Sequence, residues 1–107
     1  MSGYKEIECS ALRSLMDQGE LILVDVRTAD EAAKGIIQGA RHIPLHLLPL
    51  QAGELSGSAP LVFYCHSGMR SAQASIYMTN LGRDNVYNLR GGVLAWGAAG
   101  HILVPKN

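Results

Sequence analysis

Leu61-Val62-Phe63-Tyr64-Cys65-His66-Ser67-Gly68-Met69-Arg70-Ser71 is the stretch on which the fold turns. Its first five residues are apolar or aromatic without a break, the mark of a strand covered on both faces, as in a parallel sheet. The strand delivers Cys65 straight into the turn-prone His66-Ser67-Gly68. Beyond it, Ala74, Tyr77, Met78 and Leu81 fall at i, i+3, i+4 and i+7, which predicts one buried face of a helix starting near Ser71 and stopping at Gly82. Further on, Val86 to Leu89 predicts a strand, Gly91-Gly92 a turn, and Val93 to Ala98 a short helix. Upstream, Leu21-Ile22-Leu23-Val24-Asp25-Val26 is a second continuous β-prone run, preceded by a helix in which Leu12, Leu15 and Met16 share a face. Ser10 can cap that helix and Gly19 can end it. Between the two buried strands, Ala29 to Lys34 predicts a short helix and Ala40 to Pro44 an extended piece, because the residue before proline avoids helix. Leu45 to Leu55 predicts a helix interrupted by Pro49. Strands alternating with helices define an α/β fold: a mostly parallel central sheet, helices on both faces, right-handed crossovers. Sites in such sheets lie beyond the carboxyl ends of the strands, where Asp25 and Cys65 both fall.

At 107 residues the chain has the size of a single domain, 1–107. Nine Lys+Arg balance nine Asp+Glu, so no global field draws in polyanions and nucleic-acid binding is not expected. The longest purely aliphatic run, Leu21 to Val24, is far shorter than the roughly 18 apolar residues of a membrane span. Met1-Ser2-Gly3-Tyr4-Lys5-Glu6 does not read as a secretory signal, so a cytoplasmic location is expected, and with it two free thiols, Cys9 and Cys65. No metal and no cofactor is expected: His42 and His46 have i, i+4 spacing, but Pro44 breaks the helix that would align them.

The chemistry concentrates in Cys65 to Ser71. A tight loop between a buried strand and a helix start turns backbone N–H groups onto its concave side, and the helix dipole adds to their partial positive charge. A sulfur there favours the thiolate: such a nest and a nearby arginine would bring it below the free value near 8.5. Gly68 supplies positive φ, Ser67 and Ser71 supply hydroxyl donors, and Arg70 supplies a permanent cation. Cys65 is therefore the candidate nucleophile, and His66, Ser67, Gly68, Met69, Arg70 and Ser71 line the candidate substrate site. The bland alternative, an inert cysteine closing an apolar strand, does not account for that company. Arg27 and Glu31 are close enough to pair with each other, Asp25 is placed to bond backbone near the loop, and Trp96 is expected to pack the last helix on the sheet. Cys9 has no such company and reads as inert.

Four motifs in order make the chain resemble a single-domain rhodanese, a sulfurtransferase: Asp25-Val26-Arg27 with Glu31, Gly35-Ile36-Ile37-Gln38-Gly39-Ala40, the Cys65 to Arg70 loop, and Gly91-Gly92-Val93-Leu94-Ala95-Trp96. The resemblance implies a rhodanese-like fold and a Cys65 persulfide that takes a sulfane sulfur from thiosulfate or a related donor and passes it to cyanide, a thiol or a protein thiol. It also implies that Arg70 attracts the dianionic donor. Ala32 and Ile36 depart from the family, which often has an aromatic and a histidine at those positions, and His101 departs from a common Gly-aromatic-Pro ending.

Two other classes compete. A cysteine phosphatase or arsenate reductase places five residues between Cys and Arg, whereas four, His66 to Met69, stand here; the shorter ring suits one sulfur better than a tetrahedral phosphate. A sulfur-carrier or relay module would keep the persulfide site yet turn over small molecules poorly, since fold does not fix function.

Overall fold

The computed structural model describes residues 3–106. In chain order it contains β1 (Lys5–Ile7), α1 (Cys9–Gln18), β2 (Ile22–Asp25), α2 (Ala29–Ala32), β3 (Arg41–His42), α3 (Leu48–Gln51), β4 (Leu61–Tyr64), α4 (Met69–Asn80), β5 (Val86–Leu89) and α5 (Gly92–Ala98), with 3-10 turns on both sides of α3. The five strands form one sheet in the order β1-β5-β4-β2-β3, every neighbouring pair parallel.

Both faces of the central strands are covered, and their side chains alternate between two cores. Val24, Leu61, Phe63 and Val86 point to one core with Leu48, Leu55, Ala74 and Met78, under α3 and α4. Leu23, Val62, Tyr64 and Leu89 point to the other with Leu12 and Trp96, under α1 and α5. Trp96 packs as expected, 3% exposed, and its indole N–H donates to Ile102 O at 3.1 Å. His101 completes that corner by stacking on the indole at 4.2 Å between ring centroids. Among the described residues, no helix is long and apolar enough to cross a membrane.

Four local features differ from the sequence-based expectation. β1 carries no apolar pattern, because Lys5 and Glu6 are exposed and only Ile7 enters the core. α1 begins earlier than a Ser10 cap would place it: Glu8 is the N-cap, and its carboxylate is turned to Arg90 instead of the helix N–H groups. The segment from Leu45 to Leu55 is a chain of single turns, with Pro49 in the first turn of α3, where its missing N–H leaves nothing unsatisfied. α4 starts at Met69, before Ser71, because Gly68 in the left-handed region serves as its N-cap.

Candidate functional site

The candidate site is the turn from β4 into α4. Gly68 sits at φ +108, a conformation that side chains rarely adopt, and this curl brings its N–H to 3.1 Å from Cys65 Sγ. One helical turn on, Ser71 adds its N–H at 3.4 Å and its hydroxyl at 3.3 Å. The opposite side of the loop is held by α5: Val93 N–H donates to Cys65 O at 3.0 Å and Leu94 N–H to His66 O at 3.2 Å. Gly92, at φ +57, is what lets α5 approach, since a Cβ there would overlap the carbonyl oxygens of Cys65 and His66. The loop is thereby polarised, its carbonyls engaged by α5 and its N–H groups turned to the sulfur.

Cys65 is 1% exposed, and burial pushes its thiol up; the Ser71 hydroxyl, the Ser71 and Gly68 N–H groups and the Ser67 N–H outweigh that, so the pKa lies below the ordinary thiol value. Cys9 behaves oppositely, raised by burial and by Glu8. One consequence is measurable. In Ser71→Ala the pH midpoint of Cys65 alkylation by iodoacetamide should move upward, by about one unit for the loss of one hydrogen bond to a charged sulfur. The same depression means that, between the folded and unfolded thiol pKa values, the unfolded chain binds more protons and stability rises with pH; Ser71→Ala should flatten that rise in urea melts.

Around the loop, the acidic and basic motif residues do not pair as their sequence spacing implies. Arg27, 4% exposed, turns inward and grips the fully buried Asp25, Nε to Oδ1 at 3.0 Å and Nη2 to Oδ2 at 2.7 Å. It also donates to Gly35 O at 2.6 Å, with its guanidinium 5.7 Å from the Tyr64 ring centroid. Glu31 instead takes Arg70 in a bidentate pair, Nη1 to Oε1 at 2.7 Å and Nη2 to Oε2 at 2.9 Å. Arg27 precedes Thr28, the N-cap of α2, whereas Glu31 sits in the first turn and closes a capping box with Thr28, so the two cannot share one helix face. The Arg70 hydrogen bonds hold the Glu31 carboxyl well below the usual carboxylate range, helped by Thr28 and opposed by burial.

Of the residues read from the sequence, His66 and Ser67 are exposed on the loop, Met69 is 75% exposed at its rim, Gly68 and Ser71 touch the sulfur, and Arg70 is half-buried against Glu31. Ala32 and Ile36, the departures from the family pattern, are both buried, and the Ile36 backbone bridges to Val104. Two further residues escape a sequence reading. Gly92 reads there only as part of a turn, although the double glycine is its signal. Asn88, an amide inside an apolar strand, is buried; its Nδ2 donates to Gly68 O at 3.2 Å and to the Glu6 carboxylate at 3.0 Å. It ties the outer strand β1 to the loop. Among the described residues, no group of three or more His, Cys, Asp or Glu side chains gathers as metal ligands would.

Comparison with known proteins points the same way as the loop. A family model described as Rhodanese-like domain matches residues 8–99. The chain is 42% identical over 103 residues to a sulfurtransferase of Allochromatium vinosum, covering 94% of this chain and 96% of that protein. It is 33% identical over 96 residues to the thiosulfate sulfurtransferase GlpE of Stutzerimonas stutzeri, covering 90% and 87%. The crystal structure of a rhodanese-like domain protein from Staphylococcus aureus superposes with a TM-score of 0.85 at 32% identity, over 96% of this chain and 99% of that one.

Proposed function

The chain belongs to the rhodanese-like family, and from that premise we propose that it moves a sulfane sulfur from thiosulfate or a related donor to a thiophilic acceptor through a persulfide on Cys65. The observation that carries this reading is the single sulfur surrounded by donors from Gly68 and Ser71. Those donors favour the thiolate, so no separate general base is needed. The thiolate attacks the outer sulfur of the donor; a new S–S bond forms at Sγ, the old one breaks, and its electron pair leaves with sulfite or a thiolate. An acceptor then takes the outer sulfur and Sγ departs again as thiolate. Splitting the transfer into two displacements gives ping-pong kinetics.

In the free thiolate the Gly68 and Ser71 donors lie next to the negative sulfur, and preorganised donors of this kind are worth a few kcal/mol each in other enzymes. Arg70 commits two of its five N–H groups to Glu31, so its charge is shared with that carboxylate. A phosphatase reading is less well supported, because the loop arginine that would cradle phosphate is already committed to a carboxylate.

The test is intact mass measurement after incubation with a sulfane donor, followed by a cyanide chase. A gain of one sulfur, lost with release of thiocyanate, is the expected result. No gain with any sulfane donor, together with phosphate release from an aryl phosphate, would overturn it.

A further inference from the structure

The arginines beside the loop do not present net positive charge. Arg27 is paired with Asp25 behind β4, Arg70 with Glu31 at the loop itself, and Arg90, at the end of β5, with Glu8 at 2.6 Å. A fourth carboxylate, Glu6, reaches the loop through Asn88. The sequence resemblance implies an Arg70 that pulls in a dianion; the folded chain sets a carboxylate, Glu31, on that loop arginine. The rim also carries two apolar side chains beside the exposed His66 and Ser67. Met69, 75% exposed, follows the Gly68 that binds Sγ, and Leu94, 56% exposed, is the α5 residue whose N–H bonds His66 O.

We propose that Glu31 is a specificity-determining positioning residue: by neutralising Arg70 it biases the site toward sulfane donors of low charge and hydrocarbon body, alkyl persulfides, over thiosulfate. This rests on the Cys65 persulfide reading and names the donor class for it. With thiosulfate, Cys65–S⁻ attacks S–SO3²⁻ to give Cys65–S–S⁻ and SO3²⁻, so a thiolate must meet a dianion without a free cation between them. With a persulfide, Cys65–S⁻ attacks R–S–SH to give Cys65–S–S⁻ and R–SH, the proton of the outer sulfur passing to the departing thiolate; the donor carries at most one charge and the group behind its outer sulfur is a methylene, which Met69 and Leu94 suit. Both donors offer a terminal sulfur to Sγ, so charge and the body behind that sulfur decide.

The experiment compares sulfur loading of Cys65 by thiosulfate and by ethyl persulfide, in the wild-type chain and in Glu31→Gln, by rapid quench and intact mass. In the wild type, persulfide should load with the higher kcat/KM, and thiosulfate loading should rise or stay level between about 20 mM and about 500 mM KCl, because salt screens repulsion between like charges. In Glu31→Gln, freeing one cation near a dianion should raise the thiosulfate-to-persulfide ratio about tenfold at low salt, and the gain should vanish at high salt. Thiosulfate loading that falls steeply with salt in the wild type, or an unchanged ratio in the variant, overturns the role of Glu31. The wild-type salt arm decides this even if Glu31→Gln folds poorly. Failure of both donors to load sulfur is a different outcome and overturns the persulfide reading itself.

Discussion

Replacing Cys65 with serine is expected to lower sulfur transfer by on the order of 10³-fold or more while leaving the fold intact. Serine is close in shape and its hydroxyl can take the same Gly68 and Ser71 donors, so melting should hardly change. What disappears is a group that ionises below the ordinary thiol range and that bonds stably to a second sulfur. Thiocyanate release from a sulfane donor and cyanide measures the rate, and intact mass shows whether sulfur is still carried. Retention of more than about a tenth of the activity would move the sulfur to another thiol, of which Cys9 is the one available, although burial and Glu8 make it a poor nucleophile.

The second large effect is on stability. Arg27→Ala is expected to destabilise the chain by about 3–5 kcal/mol, since it strands a fully buried carboxylate. Against a total of about 5–15 kcal/mol for a domain, this is a large share, and at about 4–8 °C per kcal/mol it lowers the melting temperature by more than about 12 °C. The double change Asp25→Leu with Arg27→Met should recover much of the loss, because it removes both charges together; urea melts of the two singles and the double measure the coupling. Equal stabilities of Arg27→Ala and the wild type would show that Asp25 finds other donors, starting with the residue 27 backbone N–H, which already reaches its Oδ1 at 2.9 Å.

What is legible in the sequence and what is hidden follows from range. The β2 and β4 runs and the α4 periodicity are local, so the α/β class and the strand-to-loop-to-helix placement of Cys65 can be read from residues 21–26 and 61–82. The Gly68 turn is legible because positive φ leaves a residue signature. The partners of Arg27 and Glu31 are not, because spacing suggests neighbours but cannot say that Arg27 folds back under the sheet while Glu31 reaches across to a residue 39 positions later. Asn88 is hidden for the same reason: its role exists only where β5 runs beside β4 and the α4 loop. β1 is hidden because an edge strand with two exposed charged residues has no hydrophobic rhythm.

The clasp of α5 on the loop also fixes an order of events. Cys65 and Ser71 leave the ribosome well before Gly92, Val93 and Leu94, yet the carbonyls of Cys65 and His66 find their donors only in that later helix. A nascent chain that ends short of α5 contains the Gly68 and Ser71 donors but not the helix that holds the Cys65 and His66 carbonyls, so the loop gains its last anchor only after translation has passed that segment.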